Sequence, residues 1–119
     1  MTTRELRAEA RIPVTQRGKL NVGDESWFPC MVLDVSNSGF LIVSNKKLPV
    51  GQILEFRCEL YPGKTFDCKI EVMHSKDDSV GTMITDIDDK ATSLFNTYLE
   101  EKIAVNLISK PRKPYSTDD

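Results

Sequence analysis

The amino-acid sequence predicts a mainly all-β protein: a six-stranded antiparallel β-barrel with one C-terminal α-helix. Three observations predict it. Between residues 12 and 85, short apolar or alternating runs recur at nearly even spacing, separated by turn-forming clusters and not by helical stretches. Two of these runs alternate strictly and flank a Pro-Gly turn. Helical spacing of apolar residues begins only after residue 88. Short, evenly spaced strands with a single helix are the pattern of a small closed barrel.

The elements follow in order. Residues 1–11 read as a flexible basic arm. Arg4, Leu6, Arg7, Ala8, Ala10 and Arg11 allow a helical turn, but too few apolar side chains share one face to hold it on a core. Pro13 then blocks a helix and drives Ile12 towards extended geometry. Trp27 to Val35 is almost continuously apolar and reads as a strand covered on both sides, with Trp27 in the barrel wall. Phe40 to Val43 is a second short run, ended by Ser44-Asn45-Lys46-Lys47, and Pro49-Val50-Gly51 marks a further turn. Leu54, Phe56, Cys58 and Leu60 alternate with Glu55, Arg57, Glu59 and Tyr61. After the turn at Tyr61-Pro62-Gly63-Lys64, Phe66, Cys68, Ile70 and Val72 alternate with Asp67, Lys69 and Glu71. The polar segment Lys76-Asp77-Asp78-Ser79 leads to a closing strand, Val80 to Thr85. Leu94, Phe95, Tyr98, Leu99 and Ile103 then recur at helical spacing behind Asp88 and Asp89, acids that suit the positive end of a helix dipole. This predicts one amphipathic helix over about 89–104 that plugs one opening of the barrel. Residues 12–104 thus read as barrel plus helix, and residues 105–119, with Pro111 and Pro114, as a mobile polar tail.

Composition narrows the partners. The 119 residues suit one domain; 39% are apolar, 29% are charged and the net charge is −2. That balance lacks the strongly basic face of a DNA- or RNA-binding protein, so neither is an expected partner. The charge is unevenly spread, with Arg4, Arg7, Arg11, Arg17 and Lys19 near the start and Asp86, Asp88 and Asp89 much later. A basic arm on a neutral body suits a small anion. No run approaches the roughly 18 apolar residues of a membrane helix, so membrane insertion is not expected, and residues 1–11, charged and without an apolar run, are not expected to act as a secretory signal. Cys30, Cys58 and Cys68 lie within strand patterns without C-x-x-C spacing, as reduced, buried cysteines do, and the cytoplasm is the compartment for that usage. His74 is the only histidine, so a metal site and a Ser/His arrangement both lack their parts; no enzyme activity and no cofactor are expected.

Two short patterns carry the chemistry. One is R-x-x-x-R, at Arg7 and Arg11 on the arm; alone it reads equally as a solvated charged segment. The other is D-x-S-x-x-G, at Asp34, Ser36 and Gly39 between two apolar strands; alone it reads as an ordinary turn. In this order, followed by these strands and one helix, they resemble the PilZ domain family. The weaker resemblance continues through Val80-Gly81-Thr82-Met83, where Met83 stands in place of the family's more usual aromatic residue, and into the helix.

The resemblance implies a six-stranded barrel that binds cyclic di-GMP on its outside. Arg7 and Arg11 match the motif arginines, whose planar donor forks suit phosphate oxygens and guanine O6 and N7. Asp34 offers two acceptor oxygens to guanine's N1–H and N2–H2 edge, which adenine lacks. Ser36 can donate and accept beside it, and Gly39 would let the chain turn and the ligand approach. Arg4, Ser38 and His74 are secondary contact candidates, His74 because members often place an aromatic residue near there against a guanine. Leu6 stands where members that take a stacked pair of ligands often carry a further arginine, so one ligand per chain is the expectation, and an intercalated pair is the alternative, with Arg4 as the compensating group. The expected function is a cytoplasmic cyclic di-GMP sensor whose arm changes conformation on binding and which signals to a downstream protein of motility, pilus or biofilm machinery. The alternatives are a ligand-independent adaptor in pilus or flagellar control and, more weakly, a single-stranded nucleic-acid binder.

Overall fold

The computed structural model describes residues 11–24 and 26–109, with side chains described through residue 105. Among the described residues the strands are β1 (Ile12–Asn21), β2 (Phe28–Val35), β3 (Phe40–Ser44), β4 (Ile53–Tyr61), β5 (Lys64–Lys76) and β6 (Ser79–Asp86), and one helix, α1, spans Asp89–Ser109. All pairings are antiparallel, and the strands close into a barrel in the order β1-β2-β3-β6-β5-β4. Closure runs through β1, where Gly18 lies opposite Cys30 of β2 on one side and Cys58 of β4 on the other. Among the described residues the closed order leaves no strand at a sheet edge to template aggregation.

The β4–β5 hairpin follows its alternating sequence. Leu54, Phe56, Cys58, Leu60, Phe66, Cys68, Ile70 and Val72 are all buried inside, and the charged residues between them face out. The core centres on Phe40, whose ring centroid lies 4.6 Å from that of Phe56 and 5.4 Å from that of Phe95. Phe95 belongs to α1 and also reaches Phe66 at 5.1 Å, so the helix plugs the barrel through this ring, with Tyr98 and Leu99 buried beside it. Asp88 caps the helix: its Oδ1 accepts the amide of Ala91 at 2.7 Å.

Three expectations are corrected. The apolar run in β2 is not covered on both sides: Val32 and Val35 are buried, but Pro29 is exposed and Leu33 is 37% exposed. A barrel wall is one sheet thick, so even an all-apolar strand keeps an outer face. Trp27 is not part of the wall. It precedes β2, half-buried, with the Arg57 guanidinium stacked 4.4 Å from its ring centroid. The helix runs to Ser109, past the expected 104, because Val105 to Ser109 contains no breaker and the first proline is Pro111.

Candidate functional site

Of the five register shifts in the ladders of the described residues, three lie between Pro13 and Gln16, between Val32 and Asp34, and between Val72 and His74. Each extra residue re-aims its neighbours. In β2 the shift leaves Leu33 and Asp34 both on the outer side, between buried Val32 and Val35. In β5 it does the same for Met73 and His74. The ladders then align one row across the outer face: Pro13 opposite Asp34, Asp34 opposite Leu41, Leu41 opposite Gly81 and Gly81 opposite His74.

Arg11 joins this row from its end. Ile12 points into the core at 5% exposure, so Arg11 and Pro13 both face outwards. Pro13 is directly opposite Asp34, which makes Arg11 the diagonal neighbour, within reach of a long side chain. The Arg11 Nη1 donates to Asp34 Oδ1 at 2.8 Å. The second residue of R-x-x-x-R and the first of D-x-S-x-x-G are therefore in direct contact. Arg4 and Arg7 lie outside the described residues.

The rest of the D-x-S-x-x-G segment is a tight loop. The Ser36 amide donates to the Gly39 carbonyl at 3.0 Å, and the hydroxyls of Ser36 and Ser38 lie 3.2 Å apart. Ser36 is 2% exposed, so its hydroxyl shapes the loop; Ser38 is exposed, and its carbonyl accepts the amide of Ile84 in β6 at 2.8 Å. Gly39 does not have a positive φ. Its requirement is closeness to β6, since a Cβ there would lie 1.9 Å from the Thr82 carbonyl oxygen and 2.9 Å from the Met83 Cα. The expected role of freeing a turn gives way to this one. The loop also holds a residue that the motif leaves unspecified, Asn37, whose side-chain Oδ1 is buried without a hydrogen-bond partner.

Gly81 is a site residue that the sequence offers only as part of a strand. The His74 imidazole lies over its Cα: a Cβ on Gly81 would fall 2.0 Å from Nε2 and 2.3 Å from Cε1. His74 is exposed, Leu41 is half-buried and Gly81 has no side chain, so together they make a flat platform one strand away from the loop. Flatness beside a carboxylate and a guanidinium suits a planar, hydrogen-bonding, anionic ligand. No sequence period reveals this platform, because its members come from three different strands.

Other concavities lie away from both motifs. One, of about 260 Å³, is lined by Trp27, Arg57, Asp67, Lys69, Asp86 and Asp88; there Arg57 is already ion-paired with Asp67 at 2.9 Å. Another, of about 960 Å³, lies between the β4–β5 turn and α1, beside Tyr61, Lys64, Leu94 and Glu101. Among the described residues no group of three or more His, Cys, Asp or Glu side chains is placed to hold a metal ion. None of the described helices is long and apolar enough to cross a membrane.

The profile of the PilZ domain family matches residues 5–101. Three solved structures share the fold. The inhibitor of motility (MotI/DgrA) of Bacillus subtilis superposes with a TM-score of 0.70 at 13% identity, over 85% of this chain and 51% of its own. The PilZ domain of CeSA from a cellulose-synthesizing bacterium gives 0.61 at 13% identity, over 82% and 99%. MrkH of K. pneumonia in its apo state gives 0.69 at 10% identity, over 85% and 52%. The chain spans about half the length of the first and the last of these. Among curated proteins none matches the sequence.

Proposed function

This chain belongs to the PilZ domain family, and from that premise we propose that it is a non-catalytic cytoplasmic receptor for cyclic di-GMP that signals to a partner protein. The observation that carries the reading is the contact between the two motifs. Arg11 and Asp34 meet at 2.8 Å at the end of an open outer row that continues through Leu41 and Gly81 to His74. The ligand brings two anionic phosphates and two guanines, and the row offers a guanidinium, a carboxylate and a flat surface for them. Arg7, Ser36 and Gly39 are assigned to the same site by their motif positions, and Arg4 and Ser38 as secondary contacts by proximity. A change of arm conformation on binding would create the surface that a partner reads. One structural neighbour is named as an inhibitor of motility, which makes motility machinery the first place to seek that partner. The three cysteines are free and buried, in keeping with a reducing compartment.

Calorimetric titration tests the reading. Cyclic di-GMP is expected to bind with a Kd of about 1 μM or tighter, one per chain. Cyclic di-AMP, which cannot donate N1–H and N2–H2 to Asp34, is expected to bind at least roughly tenfold more weakly. Equal affinities would remove the guanine-reading role of Asp34.

A further inference from the structure

The outer face formed by β4, β5 and β6 changes character along its length. Towards the helix, residues of opposite charge lie across from one another: Arg57 opposite Asp67, then Glu55 opposite Lys69. At the next outward pair the pattern breaks, because Ile53 lies opposite Glu71 and Glu71 lies opposite Met83 of β6. Met73, the extra residue of the β5 bulge, stands outwards beside them. The turn that carries Val50 is tied to the same place, since the Gly51 amide donates to the Val72 carbonyl at 2.8 Å. Val50, Ile53, Met73 and Met83 are 64%, 48%, 45% and 40% exposed. One exposed apolar side chain needs no explanation, but four gathered around one carboxylate form a patch. Two of the four are methionines, whose unbranched, polarizable chains adapt to a partner's shape.

We propose that this patch is the docking face for the partner protein, and that the segment seated on it presents one Lys or Arg flanked by apolar side chains. The charge at its centre decides the occupant. Glu71 is half-buried, and among the described residues it has no ion-pair partner. A seated cation meets a carboxylate shielded from water by its apolar surround, the arrangement in which a central contact counts most at an interface. A second copy of this chain does not fit, because a two-fold axis through the patch sets two Glu71 carboxylates against each other. The patch also adjoins the proposed ligand row: Met73 precedes His74, and Met83 lies two positions beyond Gly81 with its Cα packed against Gly39. A seated partner is therefore within reach of whatever occupies that row. The proposal rests on the partner-signalling part of the function above, and not on the identity of the ligand.

The probe is a phage-displayed library of random peptides selected on the immobilised full chain. Enriched peptides are expected to share one Lys or Arg between apolar residues. The best of them, synthesised, should shift the methyl resonances of Met73 and Met83 but not that of Met31 in β2. Met73→Lys combined with Met83→Lys should lower its affinity by about tenfold or more, and Glu71→Gln by about fivefold or more. These side chains face outwards, so the melting temperatures of the variants should stay near that of wild type. Replacing the peptide's cation by Glu should abolish binding to wild type and restore it to Glu71→Lys, a reversal that a merely adhesive apolar surface does not show. No enrichment, enrichment without a shared cation, or binding untouched by the double variant overturns the docking face. Self-association of wild type that the double variant abolishes overturns the occupant in favour of a second copy. Calorimetry with cyclic di-GMP keeps the two readings apart. Docking on the patch by a chain that binds no cyclic di-GMP removes the ligand and supports this face, whereas cyclic di-GMP binding without docking removes the face and leaves the ligand.

Discussion

At Gly39 and Gly81 the absence of a side chain serves two different ends, and the neighbours predict different penalties. A Cβ on Gly39 meets backbone, the Thr82 carbonyl at 1.9 Å and the Met83 Cα at 2.9 Å, which can yield only by separating the loop from β6. Gly39→Ala is therefore expected to destabilise the fold by about 1–3 kcal/mol, the usual range for overpacking a tight contact. A Cβ on Gly81 meets only the exposed imidazole of His74, which can swing away. Gly81→Ala should cost less than about 1 kcal/mol in stability, while disturbing the platform. Urea denaturation of the two variants gives the order, and a Gly81 variant less stable than the Gly39 variant would refute this account of the loop. Motif spelling made Gly39 visible, but not its reason, since the atom that excludes a side chain lies 43 positions on, at Thr82. Asp34 was legible for the same cause and Asn37 was not: nothing in a D-x-S-x-x-G pattern distinguishes its unspecified positions.

Among the elements, those whose order is local were the most legible. The β4–β5 hairpin needs only alternation and a turn, and every inward residue expected of it is buried. The helix needs only its period and an acidic start, and Asp88 is indeed its cap. What the helix does to the barrel is carried by Phe95, 3% exposed and within 5.4 Å of both the Phe40 and Phe66 ring centroids. Phe95→Ala should cost about 3–5 kcal/mol, and Phe95→Leu, which refills much of the space, considerably less. Chemical denaturation with the fluorescence of Trp27 as reporter measures both. Near-wild-type stability of the alanine variant would mean that the barrel end closes without the helix. Misreadings arose where order is not local. The run from Trp27 to Val35 gave no sign of which side chains would face out, because a bulge in its pairing with β3 decides that. Trp27 left the wall for the Arg57 guanidinium, a partner thirty positions away.

For the whole molecule, closure was foreseeable from the even spacing of the strands, while the pairing of β3 with β6 and of β1 with β4 is visible only in three dimensions. Closure also places the cysteines: Cys30 and Cys58 flank Gly18 on adjacent strands, and Cys68 faces the same interior. Burial pushes the Cys30, Cys58 and Cys68 thiols up to about 12, and burial likewise raises the Tyr98 phenol to about 12. In an unfolded chain a thiol ionises near 8.5 and a phenol near 10. Below about pH 8 both states hold these protons, and the stability tied to them is fully present. Between about pH 9 and 12 the unfolded chain loses protons that the folded barrel keeps, so unfolding is favoured increasingly as pH rises. The melting temperature should therefore be level from about pH 6 to 8 and fall steadily above about pH 9. A variant with all three cysteines replaced by alanine or valine should start lower, from lost packing, but fall less steeply over the same interval. Native protein at pH 8 should also resist iodoacetamide, because thiolate is scarce and the barrel wall stands between reagent and sulfur. Thermal scans across this pH range, run on both proteins, decide the matter: equal slopes for wild type and variant would show that the buried thiols do not govern the alkaline limb.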